Sequence, residues 1–176
     1  MVDKPPASLW LQTLPGALFG VNTWSVTLPQ VVMGITAIAI VYWIVGSIYG
    51  RMAGIIAALV LAVLPASVVI DSRNEPDAMV SFTLLLSAFA ITRAVQTGRY
   101  RWYLSFAALM GLAFNTKMFV AFVPLPAFLV FSVMASSLPL KKMIRRIGLT
   151  LILLLAVTLL WDTLVAVTPQ DRRPYV

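Results

Sequence analysis

Residues 26–49 read VTLPQVVMGITAIAIVYWIVGSIY, and no side chain among them carries a charge. About 20 apolar residues cross the hydrocarbon core of a bilayer as a helix, and this run is long enough to do so. Four more runs of similar character follow. Met52–Ile70 begins just behind Gly50-Arg51 and stops at the polar cluster Asp71-Ser72-Arg73-Asn74-Glu75-Pro76-Asp77. Ala78–Val95 carries one charge, Arg93, near its far end. Tyr103–Ser136 is too long for one span and is interrupted by Asn115-Thr116-Lys117, which predicts two helices, the first of them short. Ile147–Thr168 closes the series, with Asp162 near its far end. The expectation is an all-α membrane protein with about six transmembrane helices.

Composition leaves little alternative. Of 176 residues, 61% are apolar and 11% charged, with a mean hydropathy of +0.96. A soluble domain runs at roughly 45–50% apolar and about 25% charged. A compact soluble fold of this size still leaves roughly 30% of its unfolded-chain surface in water, so it could not hide this much apolar area. A soluble enzyme and a nucleic-acid-binding domain are both excluded. The net charge of +7 and pI near 10.3 therefore report topology rather than a nucleic-acid partner. Cysteine and histidine are both absent. The chain thus lacks disulfides, thiolate nucleophiles, the commonest metal ligand and the usual near-neutral base, and acid–base chemistry falls to carboxylates. No metal site and no cofactor are assignable, and a requirement for a divalent metal stays open.

The charges also give the sidedness. If the helices alternate, one side holds Arg51, Arg93, Arg99, Arg101, Lys141, Lys142, Arg145 and Arg146, a charge of +8 without a single acid. The other holds Lys4, Arg73, Lys117, Arg172 and Arg173 with all six acids, Asp3, Asp71, Glu75, Asp77, Asp162 and Asp171, a net charge of −1. Basic residues accumulate on the cytoplasmic side, so the acid-bearing side is expected to face outward, with both termini. Aromatic residues fall where interfacial belts belong: Trp10, Trp24, Trp161 and Tyr175 at the outer level, and Tyr42, Trp43, Tyr49, Tyr100, Trp102 and Tyr103 near the inner one. Leu9, Trp10, Leu14 and Leu18 suggest a short N-terminal helix in the outer interface; a loop against the bundle fits as well. Met1–Pro6 has no signal-peptide character. An outward N-terminus with no span before it leads to the expectation that this chain is an internal piece of a longer protein.

Several polar groups call for a reason, since charges within or beside spans are costly and often functional. Pro76 suits the first turn of a helix and keeps Glu75 out of α conformation. Asp77 then lies at a helix N-terminus, where a carboxylate is favoured as a cap or as a reactive group. Arg73 is its neighbour, as a solvated charge or a second cation. Lys117, at an outer helix end, either meets a phosphate arriving from the lipid interface or snorkels to that interface. Asp162 reaches the interface or pairs with an outer cation. Arg93, Arg99 and Arg101 read as topology anchors. Lys4-Pro5-Pro6 fixes a cation on a stiff, non-helical segment. Walker, dinucleotide-binding, His-Glu-x-x-His and Gly-x-Ser-x-Gly patterns are all missing from the sequence.

Read in order, these pieces resemble a known family. They are Val2-Asp3-Lys4-Pro5-Pro6 with Leu9-Trp10, Leu18-Phe19-Gly20, Arg73-Asn74 with Pro76-Asp77-Ala78, Gly111–Met118, and the closing Arg173-Pro174-Tyr175-Val176. The sequence resembles the membrane glycosyltransferases of the dolichyl-phosphate-mannose protein mannosyltransferase type, glycosyltransferase family 39. Within it the likeness is to the bacterial branch that includes aminoarabinose transferases acting on lipid A and mannosyltransferase-like proteins. The resemblance implies a portion of a larger GT-C-type helical bundle in the plasma membrane. It implies transfer of a sugar from a polyprenyl-phosphate donor to a protein, lipid or cell-wall acceptor on the extracytoplasmic face. Carried over, Asp77 is the second-loop carboxylate near the reaction centre, Lys4 and Lys117 sit at the carrier phosphate with Arg73 beside them, and Asp3 and Glu75 are supporting acids. The family also places a first helix, and an acidic outer loop with its principal carboxylate, ahead of Lys-Pro-Pro. Residues 1–176 are therefore expected to be a single partial transmembrane domain, inactive by itself, with later helices and a C-terminal part also missing. Two other classes compete. A transporter or channel subunit would favour ionisable groups near mid-membrane, whereas here they cluster at outer ends; a non-catalytic membrane scaffold is the third.

Overall fold

The computed structural model describes residues 7–72, 76–136 and 138–167, which fold as helices joined by short turns. In chain order the α-helices are α1 Ala7–Phe19, α2 Thr23–Tyr49, α3 Arg51–Val63, α4 Pro65–Ser72, α5 Pro76–Thr97, α6 Tyr100–Lys117, α7 Leu125–Met134 and α8 Leu140–Val167, with a 3-10 segment, Met118–Phe122, between α6 and α7. The expected all-α membrane architecture is present. Four helices among the described residues are long and apolar enough to cross a bilayer, and five if the bent pair α3–α4 forms one span.

The count of six differs at two places, each with a local cause. The run Met52–Ile70 is not one rod. A residue before proline is pushed out of α conformation, and Leu64, ahead of Pro65, is extended at φ −67° and ψ 116°; α3 and α4 meet there at a bend of 59°. The run Tyr103–Ser136 divides as expected, but with the lengths reversed. The first helix continues into the 3-10 segment, giving 23 residues from Tyr100 to Phe122, whereas α7 has 10 residues. Met118 adopts a positive φ of 53°, and prolines follow at 124 and 126, so α geometry cannot propagate through this stretch.

Local chemistry sets the other boundaries. Asn22 caps α2: its side chain accepts from the Ser25 amide at 2.9 Å, and its own amide donates to Ser25 Oγ at 3.2 Å, the reciprocal capping box. Gly50, at φ 91°, turns α2 into α3, and the two helices cross closely, since a Cβ at Gly54 would lie 2.6 Å from the Tyr42 carbonyl oxygen and 3.0 Å from Gly46 Cα. Gly98, at φ 63°, turns α5 back along α6.

The antiparallel pair α5–α6 is the centre of the bundle. Half of each spanning stretch is buried, against 11% in α2 and 17% in α8. Its core is Tyr103, Phe106, Ala107 and Met110 against Ala90, Ile91, Ala94 and Leu154. Small and hydroxylated side chains such as Ser87, Thr83, Thr116 and Ser132 are buried, while Ile35, Ile56, Leu155 and Leu160 face outward. Lipid tails are as apolar as leucine, so helices associate in a membrane through small residues that allow close approach, and the large apolar ones face lipid. Tyr103, expected in an interfacial belt, is instead 1% exposed beneath the Arg146 guanidinium. The N-terminal segment forms a helix, with Leu9, Trp10, Leu14 and Leu18 all exposed.

Candidate active site

The α5–α6 hairpin carries opposite charges at its open end. Pro76 begins α5, and Asp77 falls in its first turn; Lys117 is the last residue of α6. Each charge meets the favourable end of its helix dipole, the acid at an N-terminus and the base at a C-terminus. Because the hairpin is antiparallel, both ends coincide, and Lys117 Nζ donates to Asp77 Oδ1 in a salt bridge. The two side chains are about one-third exposed, at 32% and 33%, so the pair is neither sealed in the core nor free in solvent.

The sequence around Lys117 is a positioning device. Gly111 lets α6 approach α8: a Cβ there would lie 2.6 Å from Val157 Cγ1. One turn on, the Asn115 amide donates to the Gly111 carbonyl and across to the Val157 carbonyl, both at 2.9 Å. Thr116 is fully buried and bonds back to the Leu112 carbonyl at 2.9 Å. Met118, in its positive-φ conformation, then ends the helix. Asn115 faces α8 and Lys117 faces α5, so one face clamps the helix while the other presents the cation.

The N-terminal helix reaches the same region. Ala7 is buried with Met33 of α2 and Met79 of α5, the latter two residues beyond Asp77, and Trp10 meets Trp161 of α8 edge-on at 5.5 Å. Lys4, Asp3, Arg73 and Glu75 lie outside the described residues. Asp162 is exposed beside Trp161. Of the six expected site residues, the structure thus describes Asp77 and Lys117 and brings them together.

Sequence reading missed two contributors. Asn115 enters the sequence reading as a break in an apolar run and as part of the Gly111–Met118 stretch, without a role of its own; a Gly and an Asn four residues apart, on one helix face, are the available signal. Asp71, in α4, lies against Gly34 of α2, where a Cβ would collide with its carboxylate, and Ser67 Oγ donates to it at 3.4 Å. It is the charged member of a cavity of about 230 Å³ between α2, α3 and α4. Gly34 adjoins Met33, which packs on Met79, so Asp71 belongs to the same end of the bundle as Asp77. Among the described residues, no group of three or more acidic, histidine or cysteine side chains could hold a metal ion.

The chain is similar to known proteins over nearly its whole length. The family model described as dolichyl-phosphate-mannose-protein mannosyltransferase matches residues 3–161. Two proteins of Bacillus subtilis (strain 168) align over 99% of this chain: "Putative mannosyltransferase YycA" at 45% identity and "Putative mannosyltransferase YkcB" at 37%. The chain spans about a quarter of their length, 26% and 24%. The crystal structure of ArnT from Cupriavidus metallidurans in the apo state superposes with a TM-score of 0.79 over 98% of this chain and 33% of ArnT, at 22% identity, and shows the same fold. A helical membrane bundle with a family match over residues 3–161 leads to one conclusion: the chain belongs to the dolichyl-phosphate-mannose-protein mannosyltransferase family of membrane glycosyltransferases.

Proposed function

We propose that this chain forms part of a larger transmembrane glycosyltransferase of the plasma membrane, which moves a sugar from a polyprenyl-phosphate donor to an acceptor hydroxyl of a protein, lipid or cell-wall polymer on the extracytoplasmic face. The observation that carries the proposal is the Asp77–Lys117 pair, at the end of the bundle that also holds Asp71. In such a transfer the acceptor oxygen bonds to the anomeric carbon, the carbon–oxygen bond to the carrier phosphate breaks, and the carrier leaves as a phosphate anion. The acceptor proton needs a base, and the leaving phosphate needs a cation. Asp77 and Lys117 are one of each. At rest they neutralise one another; a donor phosphate competes for Lys117 and releases the carboxylate toward the acceptor. Lys4 and Arg73 are further donor-phosphate ligands, and Asp3 and Glu75 supporting acids.

The test is donor binding by the full-length protein. Lys117→Ala is expected to weaken binding of a polyprenyl-phosphate-linked sugar, and binding equal to wild type would refute the role of Lys117. The face is tested separately with a membrane-impermeant thiol reagent. Ser72→Cys, at the acid-bearing end, should react in intact cells, and Thr97→Cys, at the other, only after permeabilisation. Reaction of both without permeabilisation would overturn the assignment.

A further inference from the structure

The opposite end of the bundle holds a second cation, Arg93, away from the Asp77–Lys117 pair. Arg93, near the C-terminus of α5, places its guanidinium 4.5 Å from the Trp43 ring of α2 and 5.7 Å from the Trp102 ring of α6. Phe89, one turn earlier, packs on both indoles, at 4.8 Å and 5.8 Å between centroids. Two neighbouring helices thus supply aromatic walls to one guanidinium, and Phe89 of α5 braces both rings. Rings attract a cation through their faces, whereas a guanidinium makes hydrogen bonds in its own plane, so stacking leaves in-plane donors unspent. Arg93 Nε is buried and has no hydrogen-bond partner. Among the described residues, no carboxylate forms a salt bridge with Arg93, Arg51 or Arg101; the one salt bridge described is Asp77–Lys117.

We propose that Arg93, Trp43 and Trp102, rimmed by Arg51 and Arg101, form a binding site for the phosphate of an anionic phospholipid at the end of the bundle opposite Asp77 and Lys117. Two clefts each share one of the rings that lie against Arg93. One, of about 300 Å³, is lined by Tyr42, Trp43, Gly46, Ser47 and Arg51. The other, of about 290 Å³, is lined by Arg101, Trp102 and Ser105. Arg101 stands 5.5 Å from the Trp102 ring, so three guanidinium groups border one aromatic platform. A phosphodiester anion fits this chemistry: arginine donates to phosphate oxygens with two parallel bonds, and indoles sit at headgroup depth. Beside the site, Ile48, Met52 and Ile56 are exposed on α2 and α3, an apolar wall for acyl chains. Basic pockets between spanning helices are where anionic headgroups collect. A zwitterionic lipid would bring its ammonium group into the same basic rim, and free phosphate would leave the apolar wall uncovered.

The experiment uses the full-length protein in neutral detergent, with phosphatidylglycerol, phosphatidylcholine and inorganic phosphate as probes, read by native mass spectrometry and by thermal melting. Phosphatidylglycerol is expected to bind and raise the melting temperature, with phosphatidylcholine and inorganic phosphate well behind. Arg93→Gln should weaken phosphatidylglycerol about tenfold or more, the loss of a charge-assisted contact. Lys141→Gln, which removes the same charge from exposed α8, should leave binding unchanged. If Arg93→Gln does not fold, the exposed pair Arg51→Gln with Arg101→Gln carries the same expectation. Equal loss with Lys141→Gln would reduce the effect to general surface charge. Equal protection by inorganic phosphate would remove the lipid, and undiminished binding by the arginine variants would overturn the site.

Discussion

The two ends of the α5–α6 hairpin each hold a cation, in opposite ways. At the open end Lys117 is met by the Asp77 carboxylate; towards the turn Arg93 is met by the faces of Trp43 and Trp102. A one-third-exposed ion pair contributes only about 0–1 kcal/mol, so Lys117 can exchange its carboxylate for a phosphate at small cost, and the exchange frees a base. Arg93 exchanges nothing, because stacked rings leave its in-plane donors available to an incoming anion. The first arrangement suits a site that must change state during turnover. The second suits one that holds its ligand and stays as it is.

The largest expected effect falls at Asp77. As a first-turn charge alone, Asp77→Asn should cost little, about 0.3–1 kcal/mol of helix-dipole interaction, and leave transfer intact. As a carboxylate of the reaction centre, it should lose at least about tenfold in sugar transfer by the full-length protein, since general-base contributions run to about 10²–10⁴-fold and even a supporting share of that is visible. Donor affinity should stay the same or rise, since the variant removes the competitor for Lys117. Lys117→Ala should do the reverse and weaken donor binding by about 1.5–3 kcal/mol. Steady-state kinetics that show both variants failing in the same parameter would sink the exchange of partners.

Much of this was legible in the sequence, and the limit is instructive. Asp77 lies 21 residues before Gly98 and Lys117 lies 19 after it, roughly 30 Å of helix in each direction at 1.5 Å per residue. A glycine turn with opposite charges at near-mirror distances predicts their meeting, whereas the family resemblance puts Asp77 at the reaction centre and Lys117 at the carrier phosphate without pairing them. Arg93 was read only as a topology anchor, because no periodicity along one helix reveals rings supplied by two others. The bend at Leu64 was available from Pro65 alone. Length and hydropathy outweighed it in the reading of Met52–Ile70, since an apolar run shows that a segment is buried in lipid and not that it is straight.

A smaller effect sharpens the account of how Lys117 is presented. Gly111→Ala sets a methyl 2.6 Å from Val157 Cγ1, and overpacking of this kind costs about 1–3 kcal/mol. The melting temperature should fall, and donor affinity with it, because the same face carries the Asn115 bond to α8. Gly148→Ala, where a Cβ meets nothing within 4 Å, should be neutral or stabilising by roughly 0.5–1 kcal/mol, the ordinary gain of alanine over glycine in a helix. If both glycines respond alike in thermal melts, close approach at Gly111 is not what sets α6 on α8.

The smallest expected quantity is the coupling between the two ends. Arg93 lies 16 residues along α5 from Asp77, roughly 24 Å by helical rise. Trp43→Leu removes the nearer ring from Arg93 and should cost about 0.5–1 kcal/mol of stability, rising toward about 2 if the contact is desolvated. Lys117→Ala removes the partner of Asp77 at the other mouth. Mutations that share no partners over such a separation add to within about 0.3–0.5 kcal/mol. The double variant should therefore melt where the two single shifts add, and its donor affinity should equal that of Lys117→Ala alone. A coupling above that range, in either readout, would mean that the central hairpin transmits the state of one cation to the other. The two ends would then form one switch rather than a mobile site and a fixed one.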